Sequence, residues 1–358
     1  MGIKVGLLGV GPVGDHIVKV LRERRFPIDG ELTVMATSER DEILDGRTYH
    51  VQKIAPHLFK GIDLMFFAGK EGAKGASMQW GQTAIDSGCI VIDNGGDFRM
   101  HPNYPLVIPE VNMNSVTRDT RYICNPNCST IQMVVALAPL HRLARLRRVI
   151  VSTYQSVSGH SGSGIDELQK QSKQILNGEI PEYDPSIFSR PIAFDCIPHI
   201  DRFLDTGYTK EEMKLVDETR KIFSAPNLLI TSTCVRVPVI VGHCESINAE
   251  FDQPMDAERA IDILSDETLS PGIVLIDGRR DDSESHSIRN DEYELHYPTT
   301  TDLFKDGLRD AVLVGRVRND LTAKNAVNLW CVSDNLRKGA ATNAVQIAEE
   351  MLKLGYLY

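Results

Sequence analysis

The chain has 358 residues and a formal net charge of -10, with 25% of its residues charged. That length calls for two domains rather than one core. The acidic balance argues against a nucleic-acid surface or a basic membrane-binding face, and no apolar run reaches the length of a bilayer span. The N-terminal stretch MGIKVGLLGVGPVG is apolar but broken by glycine, unlike the core of a signal peptide. Seven cysteines (89, 124, 128, 196, 234, 244 and 331) are scattered without a CxxC pair. Their pattern predicts no metal site, no disulfide framework, and a reducing, cytoplasmic compartment.

Lys4–Val10 reads as an apolar strand, and a helical pattern runs on to about Arg24. Between them lies GxGxxG, formed by Gly9, Val10, Gly11, Pro12, Val13 and Gly14. In that context the glycines permit a tight turn and close approach of a pyrophosphate to a helix N-terminus. Gly9, Gly11, Pro12, Val13 and Gly14 are therefore candidate cofactor contacts. A second strand, Leu32–Ser38, leads into Thr37-Ser38-Glu39-Arg40, where such folds read the adenosine ribose. Ser38 and Arg40 suit the 2′-phosphate of NADP, whereas Glu39 would suit a 2′-hydroxyl. Strand alternation sends Glu39 towards solvent. Strands at Asp63–Ala68 and Cys89–Asp93, with a helix between, predict a doubly wound parallel sheet up to about residue 127.

The segment YICNPNCSTIQ (122–132) has the form of a reactive-cysteine site. Asn125-Pro126-Asn127 forces a turn after a short strand, and the apolar run Ile131–Leu143 predicts a helix. Cys128 thus falls at a helix start, where unpaired N–H groups and the macrodipole favour a thiolate. A small buried hydrophobe is the other reading of such a cysteine.

Beyond this point the pattern changes to α+β. Strand-like runs occur at Arg148–Ser156, Leu228–Ile240, Glu245–Phe251, Ile273–Asp277 and Ala326–Val332, with helices at Ile165–Leu176 and Lys210–Phe223. On the latter helix Glu211 and Lys214 share a face continued by Glu218 and Lys221, which on spacing alone reads as a solvated ion-pair stripe. Thr209 and Glu212 have capping-box spacing. Arg279–Glu292 reads as a charged, exposed excursion, and Leu336–Leu354 as an amphipathic helix returning to the first domain.

The motifs NPNCST (125–130), YQSVSG (154–159), EEMK (211–214), RVPVIVGH (236–243) and WCVSDNLRKGAATNAVQIAEE (330–350) resemble those of aspartate-semialdehyde dehydrogenases, in order and at similar spacing. DNGGDFRM (93–100) and IPEVN (108–112) belong to the same resemblance, which runs from the first strand to the last helix. It implies an N-terminal doubly wound dinucleotide-binding domain (1–127 and 334–358) and an α+β catalytic and dimerisation domain (128–333). It also implies NADPH-dependent reduction of L-aspartyl-4-phosphate to the semialdehyde through a cysteine thioester, in lysine, threonine and methionine biosynthesis. Cys128 matches the nucleophile, His243 the general acid/base and Gln155 the amide orienting the intermediate. An unperturbed imidazole would suit proton transfer at neutral pH.

The same resemblance makes Arg236 the clamp on the substrate carboxylate, Glu211 the partner of its amino group, and Arg99 and Lys214 the phosphate site, with Asn127 also contacting substrate. Ser158, Gly159 and Asn335 match residues beside the nicotinamide. The implied partners are aspartyl phosphate, phosphate and further copies of the chain, as homodimer or homotetramer. Two departures stand out. The glycine loop is shorter than the usual GATGxVG, and Gly95-Gly96-Asp97 replaces a serine-containing phosphate loop. Other chemistries compatible with the residues are reduction of malonyl-CoA or N-acetylglutamyl phosphate, or a noncatalytic dinucleotide-binding regulator. Glu211 speaks against acyl groups lacking a free amine, and the set Cys128, Gln155, Arg236 and His243 speaks against a regulator.

Overall fold

The computed structural model describes residues 2–69, 71–277 and 297–357. These fall into two compact units, Met1–Ile131 with Asp217–Ser224 and Leu336–Tyr358, and Gln132–Val216 with Ala225–Asn335. Among the described residues no helix is long and apolar enough to cross a membrane. The Arg279–Glu292 excursion lies outside the described residues.

In the first unit β1 (Val5–Leu8) leads to α1 (Pro12–Glu23), followed by β2 (Thr33–Ala36), β3 (Arg40–Leu44) and β4 (Arg47–Lys53). Then come β5 (Leu64–Phe67), α2 (Ala76–Asp86), β6 (Ile90–Asp93), the single turn α3 (Pro109–Asn112) and β7 (Tyr122–Cys124). The seven strands lie in the order β3-β4-β2-β1-β5-β6-β7. All neighbours are parallel except β3 and β4, as a doubly wound sheet requires. Strands β1, β5 and β6 are buried at every position, which is why they read as unbroken apolar runs rather than alternating ones.

The β3–β4 hairpin went unread in the sequence. It turns on Asp45-Gly46, both with positive φ, the Asp-Gly signature of a tight two-residue hairpin turn. Its strands are largely polar and half exposed, so no apolar period announces them.

Helix α4 (Cys128–Ala144) begins at the predicted nucleophile. In the second unit follow β8 (Leu146–Gln155), α5 (Gly162–Leu176), β9 (Leu229–Arg236), β10 (His243–Phe251), α7 (Ala257–Ser265), β11 (Ile273–Leu275), β12 (Val312–Asn319) and β13 (Ala326–Ser333). Helix α6 (Lys210–Ile222), between α5 and β9 in the chain, belongs to the second unit up to Val216 and to the first from Asp217. The six strands are ordered β11-β12-β13-β10-β8-β9. In β10 buried and half-buried residues alternate without a break, placing His243, Glu245 and Ile247 on the covered face. The predicted Leu228–Ile240 strand stops at Arg236. Two elements had not been predicted: α7, capped by Asp256 accepting the Arg259 N–H at 2.9 Å, and β12, whose period is broken at Gly315–Arg318 by a register shift.

The chain ends on α8 (Thr342–Lys353), entered through a π-helical turn at Arg337–Ala341 rather than as one helix from Leu336. Ala344, Val345, Ile347, Ala348 and Met351 join the core formed by β1, β5 and α1. The last helix therefore returns to the first unit, as its amphipathic pattern predicted.

Candidate active site

The glycine loop fits a dinucleotide. Gly9 has φ +110, and a Cβ on Gly14 would lie 2.1 Å from the Gly9 carbonyl oxygen, so both positions exclude a side chain. A Cβ on Gly11 would meet no protein atom within 4 Å, so the approach to the helix end is open there, as close approach of a pyrophosphate would require. Gly11 caps α1 without any side-chain bond and Pro12 opens the helix, so its first-turn N–H groups are not claimed by a cap. Past β2, Arg40 donates from Nη1 to the Ser38 hydroxyl at 3.0 Å and from Nε to Glu42 at 2.9 Å. Glu39 is exposed, but so are its neighbours Ser38 and Arg40, because the segment lies past the end of β2 and strand alternation does not govern it. Glu39 lies 3.3 Å from the His50 ring.

Cys128 is half-buried at the first residue of α4. Asn127 supplies the cap, its Oδ1 accepting the Ser129 N–H at 3.0 Å. Arg99, in the same unit, is buried. It donates from Nη1 to Glu218 at 3.1 Å and from Nη2 to the Asn94 carbonyl at 2.8 Å. The unusual Asp97 accepts the Gly72 N–H at 2.9 Å, and Glu71 accepts the Gly96 N–H at 2.9 Å. Both carboxylates thus tie this loop to the loop after β5 instead of facing an anion bare.

The second unit gathers the remaining predicted residues. Buried Gln155 donates to Glu211 Oε1 at 3.1 Å, and Lys214 donates to Glu211 Oε2 at 3.1 Å and to Asp201 at 3.3 Å. Arg236 is buried and donates to the Ser156 carbonyl at 2.7 Å. A Cβ on Gly159 would stand 2.7 Å from Arg236 Nη1 and 3.3 Å from the His243 ring, so only glycine lets these two groups approach the loop. Glu211 and Glu218 are buried, and the reading of this helix face as a solvated ion-pair stripe is overturned. The capping box holds: Thr209 N–H donates to Glu212 at 2.7 Å and Glu212 N–H to the Thr209 hydroxyl at 3.3 Å.

His243 departs from the expectation of an unperturbed imidazole. Complete burial, with the Arg236 guanidinium nearby, pushes it from 6.5 down to about 3. The ring is therefore neutral at pH 7. Its Nδ1 accepts the Ser156 backbone N–H at 3.1 Å, so the ring proton sits on Nε2, which has no partner among the described residues. Asn335 Oδ1 accepts from the Gly242 N–H at 2.9 Å and from the hydroxyls of Ser156 and Ser158 at 3.1 and 3.2 Å. This network fixes the turn before His243. Ser156 was missed in the sequence because a serine at a strand end carries no distinctive pattern.

Two residues along β10, Glu245 is fully buried beside Cys331 and Gln132, and burial pushes its carboxyl from 4.5 up to about 8. It is neutral in the fold at pH 7 and ionised when unfolded. The stability it contributes is therefore complete below about pH 4.5 and lost as pH rises through about 8. Glu245→Gln stays neutral throughout, so its stability relative to the wild type should improve steadily across that window. Urea unfolding at the two ends checks this, and a pH-independent difference would contradict it.

Comparisons with known proteins agree with this arrangement. Residues 4–118 match the family model "Semialdehyde dehydrogenase, NAD binding domain" and residues 137–338 match "Semialdehyde dehydrogenase, dimerisation domain". The chain is 45% identical to aspartate-semialdehyde dehydrogenase 2 of Vibrio cholerae, over 96% of this chain and 95% of that protein. It is 42% identical to the aspartate-semialdehyde dehydrogenase of Aquifex aeolicus over the whole of both. The crystal structure of aspartate semialdehyde dehydrogenase II from Vibrio cholerae, complexed with ASA, superposes with a TM-score of 0.86 at 43% identity, covering 99% of each chain. With matches of this extent, on top of a dinucleotide loop, a helix-start cysteine and a buried Gln–Glu–Arg–His cluster, the chain belongs to the aspartate-semialdehyde dehydrogenase family.

Proposed function

We propose that this chain reduces L-aspartyl-4-phosphate to L-aspartate 4-semialdehyde with release of phosphate, using NADPH, in the biosynthesis of lysine, threonine and methionine. The observation that carries the reading is the cluster of buried Gln155, Glu211, Arg236 and His243 with half-buried Lys214, whose charges match a substrate bearing a carboxylate, an ammonium and a phosphate. The Cys128 thiolate attacks the acyl carbon, the bond between that carbon and the bridging oxygen breaks, and phosphate leaves with that oxygen and the electron pair. When bound, the reduced nicotinamide supplies the hydride that reduces the resulting thioester. The C–S bond then breaks, releasing the aldehyde and restoring the thiolate. His243 enters as a neutral hydrogen-bond donor at Nε2, suited to oxygens that gain negative charge in both steps. Its Nδ1 already accepts a backbone N–H, so thiolate formation is left to the helix start.

Arg236 offers the carboxylate a planar fork that lysine lacks. Asn127 and Arg99 contact substrate beside Cys128, and Ser158, Gly159 and Asn335 border the nicotinamide. The match to a dimerisation domain, together with an apolar cavity of about 630 Å³ lined by Tyr154, Tyr297 and Trp330, supports assembly of two copies. The test is the reverse reaction: purified protein with aspartate semialdehyde, phosphate and NADP+, followed at the NADPH absorbance. Absence of phosphate-dependent reduction would refute the assignment.

For the cofactor, the hydroxyl of Ser38 and the guanidinium of Arg40 support recognition of a 2′-phosphate, giving a preference for NADP. Arg40→Ala should reduce the ratio of kcat/KM for NADP over NAD by about tenfold or more, the loss of one charge-assisted hydrogen bond. Equal use of the two cofactors by the wild type, or an unchanged ratio in the variant, would show that this loop does not read the phosphate.

A further inference from the structure

Glu218 was visible in the sequence only as one more charge on α6, and neither the matched motifs nor the reaction above uses it. Its side chain is 2% exposed, a costly position for a carboxylate unless both oxygens are engaged. Oε1 accepts from Arg99 Nη1 at 3.1 Å, and Oε2 accepts the backbone N–H of Asn127 at 2.7 Å. Asn127 is the residue before Cys128 and the cap of its helix. One carboxylate therefore joins the arginine of the phosphate site to the turn that presents the nucleophile. One turn further along α6, Lys221 donates to the carbonyls of Arg99, His101 and Tyr104 at 2.6, 2.8 and 2.8 Å, fixing the loop from which Arg99 projects.

The guanidinium is not fully consumed by these contacts. Nη2 reaches the Asn94 carbonyl, whereas the buried Nε has no partner among the described residues. An arginine serving only as a structural brace would have its donors satisfied within the fold. A buried donor held in place by a carboxylate on one side is instead prepared for an anionic oxygen. Without the Glu218 charge, a guanidinium in this position would be drawn to other nearby carboxylates, Asp93 and Glu71 among them.

We propose that Glu218 is a positioning residue that sets Arg99 against the Asn127–Cys128 turn so that phosphate is held where the thiolate attacks and departs. The proposal rests on the reading of Arg99 as a phosphate contact and Cys128 as the nucleophile. It is tested in the reverse reaction by measuring KM for phosphate and for aspartate semialdehyde separately, in Arg99→Ala, Glu218→Gln and the double variant. Arg99→Ala should raise the phosphate KM by about 10- to 100-fold. Glu218→Gln should raise it by about tenfold while the semialdehyde KM stays unchanged, a split that general loosening of the fold would not produce. On the Arg99→Ala background, Glu218→Gln should add nothing, because the two act through one contact.

An unchanged phosphate KM in Arg99→Ala overturns both the phosphate reading and this proposal. A raised value in Arg99→Ala with no change in Glu218→Gln overturns the proposal alone, as does a parallel rise in both KM values. If Glu218→Gln alone does not fold, the double variant, which removes both members of the buried pair, is compared with Arg99→Ala: equal phosphate KM values support the proposal and a further rise refutes it.

Discussion

Cys128→Ala will retain the fold and NADPH binding but show no detectable turnover. Its side chain lies at the first residue of α4, outside the hydrophobic core, so truncation opens no core cavity. The chemistry has no substitute, because a methyl group cannot form the thioester. In the wild type, limiting iodoacetamide should label Cys128 first, with activity lost in proportion. Five of the other cysteines are poor competitors: burial pushes the thiol of Cys89 up to about 11 and that of Cys244 up to about 12, and raises those of Cys124, Cys234 and Cys331 further. The real rival is Cys196, which is exposed. Peptide mass spectrometry distinguishes them, and complete inactivation with the label on Cys196 alone would remove Cys128 from the nucleophile's place.

His243→Asn will lower kcat by about 10²- to 10⁴-fold with a much smaller change in substrate KM. In the proposed roles, loss of the Nε2 donor removes stabilisation where charge builds on oxygen, whereas Arg236 and Glu211 remain to meet the substrate charges. A change confined to KM would make His243 a binding or structural residue. The wild-type rate should also show no loss near pH 6.5 traceable to this ring, since the folded protein refuses its proton until about pH 3. The unfolded chain takes that proton at about 6.5, so stability falls as pH drops from 6.5 towards 3. His243→Asn should flatten that part of the stability profile, and an acid limb unchanged by the substitution would contradict the assigned shift.

Much of the fold was readable because burial dictates pattern. Strands covered on both faces, such as Leu64–Phe67, are apolar throughout, and the return of the last helix follows from its one apolar face. The polar β3–β4 hairpin and the register-shifted β12 lacked such a period. Only the Asp45-Gly46 turn could have revealed the hairpin, through its need for two positive φ angles.

For the site, residue type and order already placed Cys128 at a helix start and identified the glycine loop and the capping box on α6, because each depends on neighbours within a few residues. Local chemistry of that kind survives without coordinates. What depends on packing did not. Burial, not spacing, turned the Glu211–Glu218 face from a solvated stripe into charged groups with specific partners, and burial moved His243 away from a neutral-pH imidazole. The Ser156 N–H that selects its tautomer is 87 residues away in the chain, and the Glu218 carboxylate is 91 residues from the Asn127 N–H it accepts. Such contacts are products of tertiary structure, since charge, protonation and direction of a buried group are set by whatever the fold brings against it.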